Sequence, residues 1–110
     1  MELVSTPVFE ASARRLLTED DRRELELLLA VDPTRGAVIP GAGGVRKLRF
    51  ARRSRREGKS GGTRVIYYFV DTEHRIYLLD MYSKRQKEDL TRVELKTLRV
   101  LARSVREDGQ

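Results

Sequence analysis

The first candidate for chemistry is Gly58-Lys59-Ser60, which has the residue order that ends a phosphate-binding P-loop. A P-loop reads G-x-x-x-x-G-K-[ST] and joins a strand to a helix, so that backbone N–H groups surround the phosphates. The first glycine would fall at position 53, where the sequence has Arg53. The residues that follow, TRVIYYFV, are β-branched and aromatic and predict a strand. The sequence therefore excludes a P-loop and places Lys59 in a turn between two strands.

Side chains that bind metals or act as strong nucleophiles are scarce. The chain has no cysteine and a single histidine, His74, which falls in a predicted turn. A cysteine-based zinc site is therefore impossible, and one histidine leaves few ways to build a transition-metal site. We predict neither a metal nor a cofactor, so catalysis would depend on lysine, arginine and tyrosine.

Positive charge is concentrated in one segment of the chain. The formal net charge of the 110 residues is +6. Residues 45–64 contain nine Lys or Arg residues and one acid, so this segment alone carries +8. Such a cluster suits a polyanionic partner, whose counterions are released on binding. The alternative is a solvated basic loop that keeps the protein soluble.

The patterns along the chain predict one α+β domain over residues 1–110, with the element order β-α-α-β-β-β-α. Its small, mostly antiparallel sheet has about four strands packed against helices. A short edge strand precedes Pro7, and the capping box Thr91-Arg92-Val93-Glu94 starts the last helix at about Arg92. The polar stretch 52–62 is predicted to be a hairpin loop that nothing apolar anchors.

The strand predicted at 45–51 leads into the basic segment. Side-chain alternation divides its residues between two faces, with Val45, Lys47 and Arg49 on one and Arg46, Leu48 and Phe50 on the other. Arg64 lies just past the turn Gly61-Gly62 on the neighbouring strand. The sequence therefore predicts one cationic face and one partly apolar face.

Three blocks of sequence agree in composition and spacing with one family: VIPGAGGVRKLRF, GKSGGTRVIYYF and YSKRQKEDLT. They resemble the RelE/HigB group of toxins from bacterial type II toxin–antitoxin pairs. The HigB-like branch is most similar, since its members share I-P-G-x-G-G-x-R-K-L-R, G-K-x-G-G-x-R-V-I-Y-Y and Y-x-K-x-x-x-x-D-L-T. The resemblance covers residues 38–91 in detail and implies a RelE-like fold. It also implies an endoribonuclease that cleaves mRNA, usually in the ribosomal A site, and a cognate antitoxin with a helix-turn-helix DNA-binding fold.

The resemblance also implies a set of site residues. RNA cleavage without a metal uses the 2′-hydroxyl as nucleophile and needs cations on the phosphate, a base and an acid. The implied catalytic residues are Lys47, Arg64, Tyr82, Lys84 and Arg85. The two arginines would clamp phosphate, a lysine whose pKa is lowered by neighbouring cations would act as base, and Tyr82 would stack on a base or shuttle a proton. The residues predicted to contact the RNA backbone are Arg46, Arg49, Arg52, Arg53, Arg55, Arg56 and Lys59.

Two departures from the RelE pattern keep other functions open. Val45 stands where RelE has a lysine, and no tyrosine lies near the start of the last helix, so the base and the acid stay unassigned. One alternative is a ParE-like toxin that blocks DNA gyrase, in which the five implied catalytic residues would not converge on one pocket. The other is an RNA-binding module that leaves RNA intact and whose affinity falls steeply with salt.

The composition also bears on location. No apolar run approaches the roughly 20 residues of a membrane span, and the first residues lack the basic-then-apolar order of a signal peptide. We predict a cytoplasmic protein that has no membrane partner.

Overall fold

A computed structural model of the chain describes residues 1–57 and 62–108. These residues form five strands and three α-helices, with short 3₁₀ turns at Arg53–Arg55 and Asp71–Glu73. In chain order the elements are β1 (Glu2–Ser5), α1 (Pro7–Leu16), α2 (Glu19–Val31), β2 (Ala37–Val38), β3 (Arg46–Phe50), β4 (Thr63–Val70), β5 (Arg75–Ser83) and α3 (Arg92–Asp108).

The strands form one sheet in the order β1-β5-β4-β3-β2. Strand β1 runs parallel to β5, and the other neighbouring pairs are antiparallel. The predicted α+β fold with a mostly antiparallel sheet is therefore confirmed, but the described residues give five strands where about four were expected. The additional strand is β2, whose two residues are both exposed. Two exposed residues offer no hydrophobic alternation, so the sequence pattern cannot reveal such a strand.

Helices cover both faces of the sheet, and each face has its own core. On one face, Phe9 of α1 and Leu25 and Leu29 of α2 pack with the side chains of Leu48 and Tyr67. On the other face, Leu98 and Ala102 of α3 pack with side chains that include Val45, Ile66 and Tyr82. Strand β4 contributes to both cores, which explains its continuous run of apolar residues.

The helices begin at caps that the sequence encodes. The Thr18 hydroxyl accepts a hydrogen bond from the Asp21 backbone N–H, and the Asp21 carboxylate accepts one from the Thr18 N–H. The predicted box at the last helix is also present, because Thr91 and Glu94 exchange the same pair of bonds at 2.8 and 3.1 Å. Helix α3 therefore begins at Arg92, as predicted.

The first half of the polar loop differs from the prediction. Arg52 is buried, and its guanidinium donates to both carboxylate oxygens of Glu57 and to the Leu16 carbonyl oxygen. The Ser54 hydroxyl donates to the Asp21 carboxylate at 2.6 Å. Polar contacts therefore anchor residues 52–57, a kind of anchor that the prediction, which considered only apolar residues, did not include. The remaining loop residues 58–61, which include Lys59 and the motif Gly58-Lys59-Ser60, lie outside the described residues.

Helix length and polarity bear on membrane association. In the described parts of the chain, no helix has both the length and the apolar character that crossing a membrane requires.

Candidate functional site

The register of the sheet brings three of the implied residues into line. Arg49 on β3 lies opposite Arg64 on β4, and Arg64 lies opposite Tyr82 on β5. Directly opposed residues of neighbouring strands project from the same face of a sheet. Lys47 shares this face, since it lies two residues before Arg49. We call Lys47, Arg49 and Arg64 the cationic row. It lies on the α3 side of the sheet, because Tyr82 belongs to the core beneath α3.

The alternation predicted for β3 is confirmed. Leu48 and Phe50 are buried in the core against α1 and α2, whereas Val45 is buried in the core against α3. Lys47 is half-buried and Arg49 is exposed on the same side as Val45. The sequence therefore locates the cationic face correctly.

Arg64 is a buried arginine in the middle of this row. Only 3% of its surface is exposed, and its positive charge helps to lower the pKa of Asp89 and opposes the rise in the pKa of Tyr82. Its guanidinium is therefore within electrostatic reach of both residues. A buried guanidinium is always charged and has several N–H donors, so it suits the binding of an oxyanion that enters the site.

Tyr82 is almost fully covered, with 3% of its surface exposed. Its hydroxyl has no hydrogen-bond partner among the residues that the structure describes. The ammonium of Lys87 lies 4.9 Å from the ring centroid, and Lys87 also forms an ion pair with Glu94. Burial raises the pKa of Tyr82 to about 12, and the negative charge of Asp89 adds to the effect. Tyr82 is therefore neutral at physiological pH, and both roles implied for it require this cover to open.

Lys47 contacts an acid, Asp89, whose role the sequence pattern does not reveal. Its Nζ lies 3.2 Å from Oδ1 of Asp89. A hydrogen bond from the Leu90 backbone N–H lowers the pKa of Asp89, and the contact with Lys47 lowers it further. Asp89 is the aspartate of the motif Y-x-K-x-x-x-x-D-L-T, so the signal was present in the sequence. Its role was missed because it lies 42 positions from Lys47 along the chain.

The other two implied catalytic residues lie away from this row and line a pocket. Lys84 and Arg85 are exposed just after β5 and line a pocket of about 320 Å³. Its other lining residues are Leu16, Arg52, Arg55, Glu57, Gly62 and Ser83. Ser83 precedes Lys84 and follows Tyr82, so its side chain projects from the opposite face to Tyr82. The five residues are thus divided between a cationic row and a neighbouring cationic pocket.

The predicted RNA-contacting arginines are of two kinds. Arg46 donates to the Thr34 and Gly36 carbonyl oxygens, and Arg52 is held by Glu57, so both have contacts that support the fold. The exposed members are Arg49, Arg53, Arg55 and Arg56. Arg53 forms one long ion pair, at 3.4 Å, with Glu24.

The histidine is distant from this region. His74 is exposed in the turn before β5, with a positive φ of 49°, whereas Tyr82 is near the other end of that strand. At about 3.3 Å per residue, the two are roughly 25 Å apart. Among the described residues there is also no group of three or more His, Cys, Asp or Glu residues that could hold a metal ion.

Comparison with known families decides the relationship that the sequence blocks suggested. Residues 6–108 match the family model described as the RelE toxin of the RelE/RelB toxin–antitoxin system. The chain belongs to the RelE toxin family. Membership implies that this RelE-family toxin has a cognate antitoxin as partner. The match does not separate the HigB-like branch from the rest of the family, so that placement stays a prediction.

A solved structure shows the same fold. It is the free state of the E. coli toxin RelE carrying two arginine-to-alanine substitutions. The match has a TM-score of 0.56 and 16% sequence identity, and it covers 90% of this chain and 93% of the E. coli chain. At this identity the likeness supports the RelE fold, and the roles of individual residues rest on the geometry described above.

Proposed function

We propose that this RelE-family toxin is a metal-independent endoribonuclease that cleaves mRNA in the cytoplasm, on the ribosome. The observation that supports it most is the row formed by Lys47, Arg49 and Arg64, which lies beside the buried hydroxyl of Tyr82. Three cations on one face present a charge pattern that fits a phosphodiester.

The proposed reaction is attack by the RNA 2′-oxygen on the adjacent phosphorus. The bond from O2′ to phosphorus forms, the bond from phosphorus to O5′ breaks, and the products are a cyclic phosphate and a 5′-hydroxyl. A general base, which stays unassigned, takes the proton of the 2′-hydroxyl, and a general acid delivers a proton to O5′. Lys47 and Arg64 stabilise the charge that develops on the non-bridging oxygens.

The proton donor and the neighbouring pocket have separate parts in this proposal. Tyr82 is protonated at neutral pH whether it is buried or uncovered, because even the ordinary pKa of tyrosine is about 10. It can therefore donate to the leaving oxygen once it is uncovered. Lys84 and Arg85 would hold a flanking phosphate in their own pocket. The exposed arginines of the loop would position the RNA backbone, and the cognate antitoxin would be a helix-turn-helix protein.

The test is translation of a defined mRNA in a cell-free system with the purified toxin. Naked RNA treated with EDTA is the parallel substrate, and primer extension maps new ends. Cleavage of translated RNA alone supports a ribosome-dependent toxin, and cleavage of both substrates indicates a free ribonuclease. A folded toxin that cleaves neither would overturn the proposal.

Arg64 provides the matched variants for this assay. We expect Arg64→Ala to lower cleavage by about 100-fold or more, since it removes a charged donor from the developing oxyanion. Because Arg64 is buried, Arg64→Met is included to retain side-chain length if the alanine variant does not fold. Arg23→Ala, at an exposed position on α2, is the control and should cleave normally. Full cleavage by folded Arg64→Met would remove Arg64 from the site.

One observation favours a second function, which is inhibition of DNA gyrase. The pocket that Lys84 and Arg85 line does not include Lys47, Arg64 or Tyr82, and a ParE-like toxin predicts such a separation. A supercoiling assay with purified gyrase distinguishes the two. Inhibition of gyrase without RNA cleavage would favour the hypothesis of a ParE-like function.

A further inference from the structure

Asp89 projects its carboxylate toward the cationic row that the proposed function assigns to phosphate. Its Oδ1 is 3.2 Å from the Lys47 ammonium, and the charge of Arg64 also acts on it. We infer that Asp89 is an internal substitute for phosphate. Its carboxylate occupies the anion position of the site in the free toxin and moves away when RNA binds. This inference rests on the proposed function, because it names a residue that controls access to the same site.

A phosphodiester would make the same kind of contact with Lys47 as the Asp89 carboxylate does. A carboxylate and a phosphate both accept charge-assisted hydrogen bonds from lysine and arginine. While Asp89 stays in place, its charge offsets that of Lys47, and a second anion at this position would be repelled. RNA can therefore contact the Lys47 ammonium fully only after Asp89 has moved away.

The segment that carries Asp89 also covers Tyr82. Residues 84–91 join β5 to α3, and we call them the strap. Lys87 of the strap lies over the Tyr82 ring and pairs with Glu94 in the first turn of α3. A single residue separates Lys87 from Asp89, so a movement that withdraws Asp89 also acts on the cover of Tyr82. The buried Tyr82 hydroxyl, which has no partner within residues 1–57 and 62–108, fits a site that is closed in this state.

The Asp89 contact is weak enough to be exchanged. The side chains of Lys47 and Asp89 are 32% and 68% exposed. Ion pairs at such exposure add little to stability because water and salt screen them. A phosphate supplied by RNA, together with contacts to neighbouring phosphates, can therefore displace the carboxylate at a small cost.

The test is Asp89→Asn, which removes the charge but keeps an oxygen that can accept from the Leu90 N–H. Binding is measured by fluorescence anisotropy with a 2′-O-methyl oligoribonucleotide, which lacks the nucleophile and cannot be cleaved. Inorganic pyrophosphate serves as competitor. We expect Asp89→Asn to bind the oligonucleotide about three- to tenfold more tightly at low salt, and pyrophosphate to compete better for the variant.

Two control variants separate a local effect from a change in net charge. Glu88→Gln alters the neighbouring exposed acid of the strap, and Asp20→Asn alters an exposed acid on α2. Both change the net charge by the same amount as Asp89→Asn. We expect each to tighten binding less than twofold. Equal tightening by all three variants would overturn the inference, because it would show a general charge effect.

Cleavage of unmodified RNA in the translation assay is scored separately. Tighter binding by Asp89→Asn without cleavage by any variant would support the inference about Asp89 and overturn the proposed reaction. Unchanged or weaker oligonucleotide binding by Asp89→Asn would overturn the inference, and a tenfold loss of cleavage at the same time would mark Asp89 as a catalytic group. Absence of binding by both wild type and variant would overturn the inference about Asp89, whereas the translation assay alone decides the proposed reaction.

Discussion

Two ion pairs on opposite sides of the sheet use the same kinds of residue in different ways. The Arg52–Glu57 pair has side chains that are 8% and 15% exposed, and it is completed by bonds to the Arg52 backbone N–H and the Leu16 carbonyl. The Lys47–Asp89 pair is a single contact between side chains that are 32% and 68% exposed. The first pair fixes a loop, whereas the second can be broken by a competing anion. Burial and the number of bonds, and not residue type, distinguish a structural cation from one that can bind a ligand.

The largest difference should appear when each acid is removed. Glu57→Ala leaves the Arg52 guanidinium buried without its main partner, and we expect it to lower the free energy of unfolding by about 3 kcal/mol. Asp89→Ala should lower it by less than about 1 kcal/mol. Urea denaturation followed by circular dichroism measures both. Equal losses would contradict the distinction between the two pairs.

Lys47 should show the reverse behaviour, with a large effect on activity and a small one on stability. We expect Lys47→Ala to reduce cleavage by about 100-fold, which corresponds to about 2.7 kcal/mol of transition-state stabilisation. The urea midpoint should stay close to that of wild type because the pair is exposed. Lys96→Ala on the exposed face of α3 is the control of the same residue type. If the two lysine variants cleave equally, Lys47 does not belong to the site.

Tyr82 should make the stability of the fold fall at alkaline pH. The unfolded chain loses this phenolic proton near pH 10, whereas the folded protein keeps it up to about pH 12. The native state therefore binds more protons than the unfolded state in this interval, and stability falls as pH rises. Between pH 9 and pH 11 the loss due to Tyr82 is about 1 kcal/mol. Tyr82→Phe should remove this part of the loss, as measured by urea unfolding at the two pH values, and an unchanged pH profile would argue against the buried phenol.

The smallest expected effect concerns the exposed arginines of the loop. Arg53 has one long ion pair and an 87% exposed side chain, so Arg53→Ala should leave stability unchanged. If it contacts one RNA phosphate, the slope of log affinity against log salt should decrease by about 0.7, and affinity should fall about threefold. Anisotropy at several salt concentrations measures this, with Arg103→Ala on α3 as the control. An unchanged slope would remove Arg53 from the RNA contacts.

The sequence was sufficient for the elements that local patterns encode. The capping box at Thr91 located the start of α3, and alternation assigned Lys47 and Arg49 to the correct face of β3. Contacts between distant residues were not predictable in this way. The Arg52–Glu57 pair is local, since the two residues are five positions apart. The bonds from Arg52 to Leu16 and from Ser54 to Asp21, in contrast, span 36 and 33 positions. No local pattern reveals such contacts, and the same holds for the pairing of Lys47 with Asp89.

The placement of β1 determines when the protein can fold during its own synthesis. This strand pairs with β5 in the register Leu3 to Ile76, and the Thr6 hydroxyl donates to the Leu79 carbonyl, which is 73 residues away. The core around Phe9 also requires Ile76 and Leu78. Strand β1 and helix α1 therefore lack their packing partner until residues 75–83 have left the ribosomal exit tunnel. The core around Phe9 therefore cannot close until most of the chain has been made.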